Sequence, residues 1–91
     1  MELKWTSKAL SDLARLYDFL VLASKPAAAR TVQSLTQAPV ILLTHPRMGE
    51  QLFQFEPREV RRIFAGEYEI LYELNDQTIY VLRLWHTREN R

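Results

Sequence analysis

The chain has 91 residues, 47% of them hydrophobic and 25% charged, with no cysteine and a formal net charge of +1. That length suits one domain over residues 1–91 with a modest core, and the composition is globular rather than disordered. The missing cysteines exclude a disulfide framework, a zinc–thiolate site and a thiol nucleophile, and the near-neutral charge argues against coating nucleic acid by bulk electrostatics. No apolar run approaches a membrane span and the opening MELKWTSK lacks a signal-peptide core, so a cytoplasmic protein is expected.

In chain order, Leu3 to Trp5 reads as a brief strand leading into a helix, with Thr6 and Ser7 as candidate N-caps. Apolar positions Ala9, Leu10, Leu13, Leu16, Tyr17 and Leu20 have helical spacing, with Lys8, Ser11, Asp12, Arg15 and Asp18 mostly on the other side. The stretch ASKP (Ala23 to Pro26) ends this helix, and Pro26 suits the first turn of a second one, giving an antiparallel hairpin. In the second helix Ala28, Val32, Leu35, Pro39 and Leu42 or Leu43 share a face. Pro39 there predicts a kink near Ala38, or a helix that stops and restarts.

THPRMGE (Thr44 to Glu50) reads as a loop in which Pro46 stops the helix and Gly49 takes a positive φ. Three strands follow, near Val60–Phe64, Glu67–Leu74 and Thr78–Trp85, with hairpin-sized breaks at Ala65-Gly66 and Asn75-Asp76-Gln77. Alternation puts Tyr68, Ile70, Tyr72 and Leu74 under the helices and Glu67, Glu69, Leu71 and Glu73 on the open face, with Arg83 beside the glutamates. The expected core is Leu13, Leu16, Leu35, Ile70, Tyr72, Leu82 and Leu84. The fold class is thus α+β, β-α-α-β-β-β, a helical hairpin on one face of a small, mainly antiparallel sheet.

Four segments carry a family resemblance in order: W-T-x-x-A-x-x-D-L (Trp5 to Leu13), L-x-x-H-P-R-M-G (Leu42 to Gly49), R-R-I-F-A-G-E-Y-E-I-L-Y (Arg61 to Tyr72) and L-R-L-W-H-T-R-E-N-R (Leu82 to Arg91). The chain resembles the RelE/ParE toxin superfamily, and its ParE-like branch most. The resemblance implies a toxin of a type II toxin–antitoxin module that inhibits DNA gyrase by protein contact and is neutralised by a cognate antitoxin, with no metal, cofactor or catalytic residue. One alternative is a ribosome-dependent messenger-RNA endonuclease of RelE or YoeB type. Another is a non-toxic, antitoxin-binding regulatory domain.

The alternatives rest on different residues. Cutting RNA at the 2′-hydroxyl needs a base, an acid and cations for phosphate charge. RelE-like nucleases draw lysines from the loop before the second strand and a tyrosine from the C-terminus. Here the matching loop, Glu50 to Pro57, has no lysine or arginine, and the chain ends without that tyrosine. By likeness to the YoeB-like enzymes, a nuclease would use His86, Arg61 or Arg62, and Glu56 or Glu59, while Arg88 matches a phosphate-binding arginine of RelE-like toxins. A binding protein would instead present Trp85, His86, Arg88, Glu89 and Arg91 in its tail. Leu52, Phe53 and Phe55, apolar residues in a loop, would extend that surface.

Overall fold

The structure, a computed structural model, describes residues 1–89. Arg91, expected to contact a partner, lies outside the described residues. Strand β1 (Glu2–Trp5) runs into helix α1 (Ser7–Val21), which turns into helix α2 (Lys25–Gln37). Thr6 caps α1, its hydroxyl accepting the Ala9 amide at 3.1 Å, and Ser24 caps α2 through the Ala27 amide at 3.2 Å. Both caps satisfy amides that the first helical turn leaves without partners.

At Pro39 the α-helix stops and restarts in a tighter form. Helix α2 ends at Gln37, and a 3₁₀ segment continues over Ala38–Leu43 with Pro39 and Leu42 buried. The proline lacks the amide that an α-helix requires there, while its apolar ring still contributes to the core.

The remaining strands are β2 (Glu50–Gln51), β3 (Glu59–Ala65), β4 (Tyr68–Asn75) and β5 (Thr78–His86). Among the described residues they form one sheet with β1 in the order β1-β5-β4-β3-β2. The β3–β4 and β4–β5 pairs are antiparallel hairpins, turned at Gly66 (φ 60°) and Asp76 (φ 56°). The first strand pairs in parallel with the last, Trp5 opposite Val81, and the helical hairpin carries the chain from β1 at one edge of the sheet to β2 at the other. Leu16 and Leu35 from the helices pack with Ile70, Val81 and Leu84, and Leu42 with Tyr72, Leu74 and Ile79. The face turned away from the helices also holds buried side chains, Val60, Leu71 and Glu69.

Three sequence expectations are corrected here. Leu82 is half-buried and not in the core, because β5 carries a bulge: Leu71 faces Arg83 while the next residue, Tyr72, faces Val81. Leu82 is the unpaired extra residue, and the side-chain alternation changes phase across it. Ile79 and Val81, which strict alternation would set opposite Leu82 and Leu84, are therefore buried together with Leu84.

Gly49 does not take a positive φ. It is needed for space, since a Cβ there would lie 2.6 Å from the Arg62 carbonyl oxygen and 2.7 Å from the Tyr72 hydroxyl. Tyr72 ties down this loop, accepting the Gly49 amide at 3.1 Å and donating to the Pro46 carbonyl at 2.8 Å. The segment expected to be plain loop contains β2, paired with Arg61 and Arg62 of β3, and a 3₁₀ turn at Phe53–Phe55.

Candidate interaction site

Cross-strand partners share a face, so the register fixes which candidate residues meet. His86 lies opposite Tyr68 at one end of β4, and Glu59 lies opposite Leu74 six residues further on. At about 3.3 Å per residue, the two are about 20 Å apart along the strand. Arg61 lies with Glu59 on the helix-covered face, opposite Tyr72, whereas Arg62 lies opposite Leu71 on the outward face. The register therefore keeps Glu59 and Arg61 together but far from His86, with Arg62 on the opposite face.

Each of those groups has another task. Glu59 Oε2 accepts from Arg47 Nε and Arg61 Nε, both at 2.9 Å. The Arg47 hydrogen bond, seconded by Arg61, outweighs burial and holds the Glu59 carboxyl below its usual range, the wrong direction for a base working near neutral pH. Arg61 donates further to the carbonyls of Gly49 (2.8 Å) and Arg47 (3.2 Å) and to Gln51 (3.3 Å), fastening the loop and β2 to β3. His86 Nδ1 accepts the Arg88 amide at 3.0 Å, and its ring meets Tyr68 edge-on with centroids 5.1 Å apart. Arg88 is mostly exposed and reaches Glu67 at 3.7 Å.

The outward face carries alternating charges and rings. Trp85 donates its indole N–H to buried Glu69 at 3.2 Å, and Arg62 bridges Glu69 (3.5 Å) and Glu50 (2.8 Å). Arg62 lies over the Phe64 ring and Arg83 over the Trp85 ring, 5.7 and 5.8 Å from their centroids. Arg58 pairs with Glu73 at 2.7 Å. Phe64 is 55% exposed and Phe53 64%, while Leu52, Phe55 and Trp85 are half-buried. Of the described residues expected to meet a partner, Arg88 and Phe53 are exposed, and His86 and Glu89, like Leu52, Phe55 and Trp85, are half-buried.

Asp12 is the residue that sequence reading missed. It is buried, accepting from Arg83 Nε at 2.7 Å, Arg83 Nη2 at 3.2 Å and the Leu84 amide at 3.1 Å. β1 ends opposite Val81, so the β5 edge beyond it is open, and Asp12 supplies that edge with an acceptor. Thr6 supplies a donor just before it, its hydroxyl within reach of the carbonyls of Val81 at 2.9 Å and Leu82 at 3.1 Å. Burial pushes the Asp12 carboxyl up, but the Arg83 hydrogen bond, the Leu84 amide and the charges of Arg83 and Arg15 together hold it below the usual carboxylate range. Arg83 sits on the outward face as expected, yet its guanidinium turns to Asp12 instead of the glutamates. The signal was present in the spacing: Ala9, Asp12 and Leu16 fall on one helical stripe, and the flanking two are core residues.

Among the described residues no group of three or more histidines and carboxylates could hold a metal ion, and no helix is long and apolar enough to cross a membrane. The described residues thus form a helical hairpin on a small sheet, with paired charges and exposed rings at its surface and the acid–base candidates His86 and Glu59 apart. Residues 3–91 match the family of the ParE toxin of type II toxin–antitoxin systems, parDE. The chain belongs to this family and is a ParE-type toxin. It is similar to a solved chain of the chromosomal ParDE toxin–antitoxin system from P. aeruginosa, with a TM-score of 0.79 and 27% identity, over 94% of this chain and 95% of that one. No curated protein matches it in sequence.

Proposed function

We infer that this toxin inhibits DNA gyrase by protein–protein contact in the cytoplasm and is neutralised by a cognate antitoxin. The observation that carries this reading is the separation of His86 from Glu59 by six residues of β4, with Glu59 and Arg61 committed to ion pairs and loop contacts. Proton transfer in an RNA cleavage needs a base and an acid within hydrogen-bond reach of one substrate. Contact with a protein needs only shape, charge and accessible apolar surface. Trp85, His86 and Arg88 at the C-terminal end, with Leu52, Phe53 and Phe55, are the residues proposed to meet partners directly, whereas Glu89, expected among them, is held by Arg15 at 2.7 Å.

Inducible expression in bacteria tests this. The chain alone is expected to arrest growth, and co-expression with the antitoxin encoded beside it to restore growth and yield a co-purifying complex. His86→Ala is expected to leave the arrest largely intact, whereas Arg88→Glu weakens it more, because charge at the tail matters to contact and proton transfer does not. Free growth of cells expressing the wild-type chain alone would favour the non-toxic, antitoxin-binding reading instead.

A further inference from the structure

Between α1 and the ends of β4 and β5 lies a groove of about 760 Å³, lined mainly by apolar surface from Leu16, Phe19, Leu20, Tyr68 and His86. Phe19 is 70% exposed at its rim. Just beyond β5 the chain turns back on itself: the Thr87 amide donates to the Glu67 carbonyl at 2.8 Å and the Glu89 amide to the His86 carbonyl at 2.9 Å. The turn brings the Glu89 carboxylate onto the Arg15 guanidinium in a two-pronged pair, at 2.7 and 3.4 Å. Seventy-four residues separate these partners in sequence, and both line the groove.

We propose that the Arg15–Glu89 pair is a latch, by which the chain's own C-terminal turn is held against the wall of this groove and occupies a carboxylate seat that a partner's segment takes when it binds. The proposal rests on the antitoxin reading for the identity of that partner. Its chemistry is written in the groove: a guanidinium fork that already accepts a carboxylate, beside apolar walls, fits a segment bearing an aspartate or glutamate next to bulky apolar residues. Arg15 is half-exposed, so the pair favours the closed form only about two- to fivefold. A latch of that strength slows entry without forbidding it. Opening it permanently raises the binding-competent fraction, and with it the affinity, about three- to sixfold.

The test has two arms. In the free toxin, amide exchange at Thr87 and Arg88, corrected for intrinsic rates, is expected to rise about three- to sixfold in R15Q and in E89Q, and no further in the double variant. Unchanged exchange, or effects that add in the double variant, overturns the latch. In the second arm the co-expressed antitoxin is titrated: E89Q binds about three- to sixfold tighter than wild type, whereas R15Q, which loses the seat as well as the latch, gains nothing. Equal affinities for wild type and E89Q alongside raised exchange would show that the groove is not the partner's seat. An antitoxin that fails to bind even wild type counts against the partner reading alone, and the exchange arm still decides the latch.

Discussion

Asp12→Ala is expected to lower the stability of the free toxin by about 2–4 kcal/mol, read as a shift in the urea midpoint at unchanged slope. The change removes a buried carboxylate that holds Arg83 at 2.7 Å and the Leu84 amide at 3.1 Å. The orphaned amide of a buried residue bears the desolvation cost, while Arg83, 41% exposed, recovers part of its loss from water. That recovery keeps the expected loss below the top of the range for fully buried pairs.

The same contact has a pH signature. The folded-state pKa of Asp12 lies below its ordinary value of 3.8, so its contribution is fully present above that value and is lost as pH falls through the folded one. The gap in stability between wild type and Asp12→Asn should therefore hold through neutral pH and narrow only below about pH 4. A gap that narrowed between pH 6 and 8 would point to another group.

Leu84→Ala is expected to cost about 2–5 kcal/mol and Leu82→Ala no more than about 1–2, in the same denaturation experiment. Leu84 is fully buried against both helices' leucines, while Leu82 stands half-buried at the bulge. Equal losses would mean that the strand keeps a single phase from Thr78 to His86.

This pair of leucines marks where sequence reading reached its limit. Strict alternation assigned both to one face, and only the pairing with β4 reveals the additional residue. A bulge is a property of two strands, set here by Tyr72 taking Val81 as partner, and one strand's pattern carries no trace of it. The parallel docking of β1 on β5 was hidden for the same reason, as was the two-residue β2, too short for any periodicity.

Local chemistry, by contrast, was legible. The cap at Thr6, the second helix beginning around Pro26, the α-helix ending before Pro39 and the two hairpins follow from short-range sterics and hydrogen bonding. The candidate site divided along the same line. The aromatic and charged tail after β5 stood out because a strand end has little need of it. Asp12 did not, since charge alone suggested solvent, and its burial depends on an open strand edge supplied by residues 72 positions away. Gly49 was recognised as special for the wrong reason, because the crowding that excludes a Cβ comes from Tyr72 and β3.

Contact with gyrase, and not cutting of RNA, is the action proposed for this ParE-type toxin. The direct measurement places the purified wild-type and His86→Ala chains with DNA gyrase and supercoiled plasmid, and in parallel with translating ribosomes and messenger RNA. Both chains are expected to block supercoiling to within about twofold of each other and to leave the message intact. Ribosome-dependent cleavage by the wild type, lowered about a hundredfold or more by His86→Ala, with gyrase unaffected, would contradict that proposal.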